Sequence, residues 1–288
     1  MASAELRKIN RRIKSVKSTK KITRAMELIA SSRIVKAQQR LNTSKNYSRI
    51  LGEIIRELAN SGSLPKPPEV SGKKNVTLVV ITSDRGLAGA YNSNILKIAE
   101  SRRNEYLADG ADVEIVTVGK KADGYFNYRS INPKSAFEGV TDEPKFENAL
   151  SIMNPLVDEY NSGKTHHIEI IYTEYKSAIT QRAVYEQLLP FEDKTSDEEK
   201  TKGNYTFEPS AAEVLNEIIP NYTNAAIFTA LLNSSTSEHA SRMRAMKAAT
   251  DNAEDLIKIL SRQSNQARQA EITTEISEIV GGAEALAG

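Results

Sequence analysis

The chain has 288 residues, of which 39% are hydrophobic, 26% charged and 6% aromatic, and it has no cysteine. These values are ordinary for a soluble protein of one or two domains. Without cysteine, disulfides, a thiolate nucleophile and Cys-ligated zinc are excluded. The sequence lacks the run of about eighteen apolar residues that a membrane-spanning helix needs. The N-terminus is basic but lacks the apolar stretch and cleavage site of a secretory signal, and the helical pattern from Leu6 leaves no room for a transit peptide.

The formal net charge of +2 hides a strong asymmetry along the chain. Residues 1–40 are rich in lysine and arginine and hold only two acidic residues, Glu5 and Glu27, whereas acidic residues are frequent after residue 250. A basic helix and a more acidic one attract each other when they pack side by side. The alternative interpretation is a basic helix lying along nucleic acid, but the basic stretch has no zinc-finger pattern and no aromatic stacking platform.

The first predicted element is a long helix over residues 4–59, which contain no proline and a single glycine. Apolar residues recur there every three or four positions, in the narrow stripe of a coiled coil. At about 1.5 Å per residue this helix is roughly 80 Å long. It is not expected to be stable alone, because its apolar stripe must be covered by a partner. The stripe consists of Leu6, Ile9, Ile13, Val16, Ile22, Met26, Ile29, Leu51, Ile55 and Leu58.

The middle of the chain changes to alternating strands and helices. Residues 75–82, 113–118, 167–175 and 181–189 are predicted strands, and helices are predicted over 94–107, after Gly119 and over 145–160. This alternation predicts an α/β domain with a mostly parallel, Rossmann-like sheet over residues 75–190. Residues 191–208 are mostly polar and charged and are predicted to form a mobile loop.

The last predicted element is a second long helix within residues 209–288. Pro209 and Pro220 are expected to bracket a short helix before it. Its stripe predicts antiparallel pairing with the N-terminal helix of residues 1–60, with Ile9, Ile13, Val16 and Ile29 facing the seam. The stripe consists of Ile227, Leu231, Met243, Met246, Ala253, Ile257, Leu260, Ala267, Ile276 and Ile279.

Glycines between the first strand and its helix raise the question of a nucleotide site. The segment Gly86-Leu87-Ala88-Gly89 lies where a phosphate loop would be, but it matches neither G-x-G-x-x-G nor G-x-x-x-x-G-K-[ST]. No acidic residue ends the next strand to hold a ribose. A tight turn explains these glycines better, and a free-standing nucleotide-binding enzyme is left as an alternative.

The three histidines do not form a metal site by their spacing. His166 and His167 are adjacent, so on a strand they point to opposite faces. His239 lies within the second long helix, where a polar seam or cap role is expected. We find no catalytic constellation, cofactor site or metal site in the sequence.

Three blocks of the sequence resemble the γ subunit family of F-type ATP synthases. The first is Ile22–Ala30, ITRAMELIA, and the second is Ser83–Leu87, SDRGL, with Gly89 and Asn92. The third comprises Ser237–Ala240, SEHA, and Arg268–Ile276, RQAEITTEI, and the resemblance extends in order over essentially the whole chain. Ala88 stands where many members have cysteine, and the loop after Pro190 lacks the cysteine pair of the redox-regulated plant members.

The resemblance implies a non-catalytic rotor shaft of a proton-translocating ATP synthase. In such an enzyme the shaft couples rotation of a membrane c-ring to conformational change at the catalytic sites of the β subunits. The partners it implies are the α, β, ε and δ subunits and the c-ring, with no nucleic acid and no cofactor. It also implies a peripheral location on the cytoplasmic face of a bacterial plasma membrane, with a processed organellar chain as the alternative.

The resemblance also assigns roles to particular residues. Arg268 and Gln269 are expected to engage β, with Arg242 nearby and Met26 close to them on the N-terminal helix. The second helix is the longer one, so its end is expected to project beyond its partner as an apical bearing. The apolar stripe expected to form that bearing is Ile272, Ile276, Ile279 and Val280.

Overall fold

The computed structural model describes residues 4–60, 68, 72–191 and 211–287. The chain divides into two compact units. The coil unit comprises Met1–Ile29 and Met243–Gly288, and the sheet unit comprises Ala30–Arg242. Both units use parts of two long helices, α1 (Ala4–Asn60) and α5 (Ala211–Ala287). The loop predicted over 191–208 lies outside the described residues except for Phe191.

The sheet unit contains five strands in the order β3-β2-β1-β4-β5. The first four are parallel, with Val79 of β1 aligned to Val116 of β2 and to Ile170 of β4, and β5 is antiparallel to β4. The predicted mostly parallel, Rossmann-like sheet is therefore confirmed. The strands are β1 (Asn75–Ile81), β2 (Asp112–Val118), β3 (Ser135–Phe137), β4 (His167–Tyr175) and β5 (Gln181–Leu189).

Helices cover both faces of this sheet, so that its β-branched strands are buried on both sides. The helices α2 (Tyr91–Ala108) and α3 (Lys120–Tyr128) cover one face, where Ile95 and Phe126 are fully buried. The helix α4 (Phe146–Asn161) and the first half of α5 cover the other, where Met153 and Leu231 are fully buried. Completely burying side chains of this size stabilises the fold by about 1.5–3 kcal/mol each.

The part of α5 in the sheet unit buries polar as well as apolar side chains. The amide oxygen of Asn233 accepts the backbone N–H of Tyr175 at 3.2 Å. The hydroxyl of Ser237 donates to the Thr173 carbonyl at 3.2 Å, and that of Ser235 donates to the Asp142 carbonyl at 3.1 Å. These bonds compensate the cost of burying the polar groups and attach α5 to β4 and to the loop before α4.

Within the coil unit, α1 and α5 run antiparallel. The Asn10 side chain meets Ser264 at 3.0 Å, Lys20 meets Glu254 at 3.1 Å, and the Thr23 and Thr250 hydroxyls are 2.7 Å apart. Leu6 and Leu260 are buried in the seam, and Ile9, Ile13 and Val16 are half-buried. The predicted pairing of the two long helices is therefore confirmed, including these three isoleucine and valine positions.

Two seam residues were predicted wrongly. Ile22 and Ile29 are 59% and 56% exposed, whereas their neighbours Thr23 and Ala30 are buried. The buried positions continue the three-and-four spacing that begins at Leu6, and this spacing passes through 23 and 30 rather than 22 and 29. Small side chains in the seam let the two backbones approach, while the isoleucines face outward.

Three further expectations about elements were wrong or incomplete. Pro220 lies inside α5, which continues through it, so there is no separate short helix before the long one. The helix α2 begins at Tyr91, three residues before its predicted start. The three-residue strand β3 was not predicted, because it is too short to show a periodicity.

Candidate functional site

Three of the four residues expected to contact β lie in the coil unit: Met26, Arg268 and Gln269. Arg268 and Gln269 are exposed on α5, opposite the start of α1, and Met26 is half-buried. From the Thr23–Thr250 and Asn10–Ser264 pairs, Met26 lies about twenty residues, or roughly 30 Å, along the coil from Arg268 and Gln269. The expectation that Met26 lies close to them is therefore wrong.

Arg242 is directed into the sheet unit rather than toward solvent. Its side chain is 9% exposed, and its guanidinium donates to the Glu238 carboxylate at 2.5 Å and to the Gly86 carbonyl at 3.3 Å. Arg242 thus joins α5 to the loop after β1. A contact of Arg242 with β stays a prediction, and the contacts that the structure shows for it are internal.

Glu238, His239 and Arg242 are buried polar neighbours on α5. Asp142 borders them and is held in turn by Arg33, whose side chain is 44% exposed. Burial raises the pKa of Glu238 to about 7, with a smaller lowering effect of Arg242 and raising effects of Asp142 and Asp84. Among the described residues, its second carboxylate oxygen has no hydrogen-bond partner. Glu238 is therefore a carboxyl group whose charge is costly where it lies.

His239 and Asp142 form the other side of this cluster. Burial lowers the pKa of His239 to about 4, although Asp142, whose carboxylate is 3.9 Å from the His239 Nε2, opposes that effect. Burial raises the pKa of Asp142, but the Arg33 guanidinium, 2.5 Å away, outweighs it and holds this pKa below its usual value. At neutral pH the histidine is uncharged and the aspartate is ionised.

The loop after β1 is held by Asp84. The carboxylate of Asp84 accepts the backbone N–H groups of Lys120 and Gly139 at 3.2 and 3.1 Å, and the hydroxyl of Thr141 at 2.9 Å. Leu87 has a left-handed backbone with φ 64° and is 64% exposed. A bulky residue in this conformation is strained, and the surrounding bonds keep it there.

The end of α5 carries an exposed apolar stripe. Ile272, Ile276, Ile279 and Val280 are 47%, 56%, 70% and 56% exposed. An apolar stripe of this kind normally marks a surface that another molecule covers.

A family model described as ATP synthase matches residues 5–286. The ATP synthase gamma chain of Streptomyces griseus is 46% identical over 296 residues, covering 99% of this chain and 97% of the relative. That of Frankia casuarinae is 44% identical over 294 residues, covering 99% of both chains. The chain belongs to the ATP synthase γ subunit family.

Solved structures agree with the γ subunit fold. The central stalk and c-ring structure of the Tetrahymena thermophila mitochondrial ATP synthase contains a chain with 26% identity and a TM-score of 0.62, which covers 79% of this chain and 99% of that one. A chain of the Euglena gracilis mitochondrial ATP synthase has 17% identity and a TM-score of 0.71, covering 98% and 94%. As a member of the γ subunit family, the chain is a rotor shaft of an ATP synthase.

The buried cluster around Glu238 was missed by sequence reasoning about this γ subunit. The polar run from Asn233 to Arg242 was visible as an unusual feature within a long helix. A polar run on a helix usually means an exposed face, and nothing local shows that neighbouring elements surround it. Asp142 and Arg33 are distant in sequence, so only the tertiary structure brings them together.

The two adjacent histidines of the γ subunit have structural contacts on β4 and at its start. The Nδ1 of His166 accepts the Asn75 backbone N–H at 3.0 Å, while the Nε2 of His167 is 2.8 Å from the Tyr106 hydroxyl. Over the described ranges, no group of three or more potential ligands could hold a metal ion. In the same part of the chain, no helix is long and apolar enough to cross a membrane.

Proposed function

We propose that this γ subunit is a non-catalytic shaft that transmits torque between a membrane c-ring and the β subunits. The single observation that carries the proposal is the coil unit, in which α5 continues past the start of α1 with an exposed apolar stripe. A paired helix with one extended end is asymmetric about its axis. Such a shaft makes different contacts with each surrounding subunit, and these differences shift the conformational equilibria of those subunits.

Arg268 and Gln269 are the residues that we assign to the contact with β, and Ile272, Ile276, Ile279 and Val280 to the apical bearing. All six are exposed, so their side chains are available to a surrounding subunit. The apolar stripe suits a smooth apolar collar formed by α and β, in which few directional bonds must break during rotation. Met26 is assigned to a second contact farther along the coil.

We assign the α/β domain of residues 75–190 to the contacts with ε and the c-ring. The division into residues 1–60, this domain, residues 191–208 and residues 209–288 belongs to the same proposal, and δ completes the set of partners. The location that goes with it is the cytoplasmic face of a bacterial plasma membrane. The bacterial sources of the relatives named above support that location.

Co-purification tests the assembly. A tag on this chain should retain α, β and ε subunits from detergent-solubilised membranes, with one copy of this chain for each ring of alternating α and β. Recovery of the tagged chain with nucleic acid, or with none of these subunits, would contradict the proposal.

Paired variants test the assigned contact. The double variant Arg268→Ala and Gln269→Ala should lower ATP hydrolysis and synthesis by the assembled enzyme while nucleotide binding to β is retained. Arg262 is a matched control, because it is also an exposed arginine on α5 in the coil unit. Equal losses of activity in Arg262→Ala and in the double variant would show that the contact is not specific.

A further inference from the structure

The sheet unit contains a basic cavity to which the proposed rotor function assigns no role. Its volume is about 660 Å³, and it lies between the first turns of α2 and α3, at the ends of β1 and β2. Small-molecule sites in proteins have volumes of roughly 300–1,000 Å³. In open α/β sheets, ligands bind beyond the carboxyl ends of the parallel strands. The cavity is therefore of suitable size and position for a ligand.

Three lysines line this cavity, which we call the lysine pocket: Lys97 from α2, and Lys120 and Lys121 from α3. No aspartate or glutamate is among the lining residues. In the part of the chain that the structure describes, no carboxylate lies within ion-pairing distance of Lys97 or Lys121. The Nζ of Lys120 is 3.4 Å from Glu138, and both side chains are about half exposed. The lining therefore carries uncompensated positive charge, which an anion would neutralise.

Backbone amides at the start of α3 are not available to this anion. The N–H of Lys120 donates to the Asp84 carboxylate, that of Lys121 to the Ser83 carbonyl, and that of Ala122 to the Thr82 hydroxyl. Gly119 before them approaches Thr82 so closely that a Cβ would lie 2.5 Å from its carbonyl oxygen. These backbone N–H groups therefore cannot bind a phosphate as they do in a dinucleotide-binding fold. The lysine side chains must bind the anion instead.

The glycines of the lysine pocket keep it open. Gly124 is in the middle of α3, where glycine weakens a helix, and a Cβ added to it would meet no atom within 4 Å. Gly89 lines the opposite side with a left-handed backbone, φ 60°. A side chain at Gly124 would project into open space beside the lining.

We propose that the lysine pocket binds a phosphate-bearing polyanion. Three mobile ammonium groups match a ligand with several negative charges better than a single carboxylate, because a lysine acts as a flexible point charge rather than a planar fork. The shared chemistry is a phosphate group, and its source is either a soluble oligophosphate or a phospholipid headgroup.

Calorimetric titration of the full chain with pyrophosphate at physiological ionic strength tests this site. The triple variant Lys97→Gln, Lys120→Gln and Lys121→Gln should weaken binding by at least about tenfold. A matched control replaces Lys73, Lys74 and Lys164, three exposed lysines at the amino ends of the strands, and should retain the affinity. Glu138→Gln should strengthen binding, because it removes the carboxylate that competes for Lys120.

The two triple variants and Glu138→Gln together decide the proposal. Equal weakening in both triple variants would reveal non-specific attraction and overturn the site, as would the absence of pyrophosphate binding to the full chain. Stronger binding by Glu138→Gln cannot result from unfolding, so it supports the site even if a lysine variant loses stability.

Vesicle sedimentation identifies the source of the phosphate. In one outcome the full chain sediments with phosphatidylglycerol vesicles, pyrophosphate releases it, and the triple variant of Lys97, Lys120 and Lys121, which we call the pocket variant, no longer binds. That result assigns the lysine pocket to a lipid headgroup. Pyrophosphate binding without vesicle binding assigns it to a soluble oligophosphate. Vesicle binding that neither pyrophosphate nor the pocket variant changes, together with no pyrophosphate binding, would overturn the proposal.

Discussion

The hydroxyls of Thr23 and Thr250 meet across the coil unit at 2.7 Å, and both residues are more than nine-tenths buried. One of the two hydroxyls donates its single proton across the pair, and the other donates to its own helix: the Thr250 hydroxyl is 2.8 Å from the Met246 carbonyl, and the Thr23 hydroxyl is 3.1 Å from the Lys20 carbonyl. A pair of small polar residues thus occupies this seam position, although the larger apolar Ile22 directly precedes Thr23. The register of the two helices depends on this choice.

Substitutions at adjacent positions test that register. Thr23→Ile should lower the free energy of unfolding by about 1–3 kcal/mol, because the seam has no room for the larger side chain and the hydroxyl bond is lost. Ile22→Thr should change it by less than about 0.5 kcal/mol, because Ile22 faces outward. Thermal and denaturant unfolding of the two variants measures both values. A large cost at Ile22 with none at Thr23 would mean that the seam runs through the isoleucines.

Arg242 and Arg268 should differ in their contributions to the free energy of unfolding. Arg242→Ala removes the hydrogen-bond partner of the buried Glu238, whose pKa is already about 7 and which is then protonated. The variant should cost about 1–3 kcal/mol of stability, because the buried carboxyl and the Gly86 carbonyl lose their donor. Arg268→Ala, on an exposed face, should change stability by less than about 0.5 kcal/mol. Denaturant unfolding of the isolated chain separates them. If Arg242→Ala has normal stability but the assembled enzyme loses activity, then Arg242 acts by direct contact with β.

His239 should make stability depend on pH. Its pKa is near 6.5 in the unfolded chain and about 4 in the folded one, so the unfolded state takes up a proton first as the pH falls. The free energy of unfolding should therefore decrease by roughly 3 kcal/mol from this group between about pH 7 and pH 4. His239→Gln should remove that decrease while retaining a donor toward Asp142.

Glu238 changes the free energy of unfolding in the opposite direction over a similar range of pH. Its pKa is about 7 when folded and about 4.5 when unfolded, so the folded state takes up the proton first and stability from this group increases as the pH falls. Because Glu238 is present in both proteins, the difference between the wild-type and His239→Gln curves isolates the histidine. Parallel curves from pH 7.5 to 4 would contradict the prediction.

The exposed end of α5 should gain protection on assembly. In the isolated chain, amide hydrogen exchange over residues 272–283 should be fast, because this apolar stripe has no covering surface. In the assembled enzyme, exchange over 272–283 should be slower. Residues 243–260 serve as an internal control, because α1 already covers their seam in the isolated chain and their protection should change less. Removing the last few residues should preserve activity, but removal back through Gln269 should impair coupling and assembly. Equal protection of 272–283 in both states would contradict the bearing assignment.

Local sequence patterns determined the elements and most of the seam. The spacing of Leu6, Ile9, Ile13 and Val16 predicts a coiled-coil face, and the β-branched runs predict strands buried on both sides. These patterns are informative because each depends on a short period that neighbouring residues share. The γ subunit family was likewise evident from three blocks of sequence, since they occur in order over the whole chain.

Tertiary structure alone decided which residues of those elements are enclosed. Ile22 and Thr23 both lie on plausible faces of α1, and the partner helix selects Thr23. The polar run from Asn233 to Arg242 is buried because the sheet and the loop before α4 surround it. Asp142 of that loop contacts Ser235 and His239, and Arg33 from a distant part of the chain pairs with Asp142. Periodicity specifies which residues share a face, but burial depends on what that face meets, and those contacts are made by residues far apart in sequence.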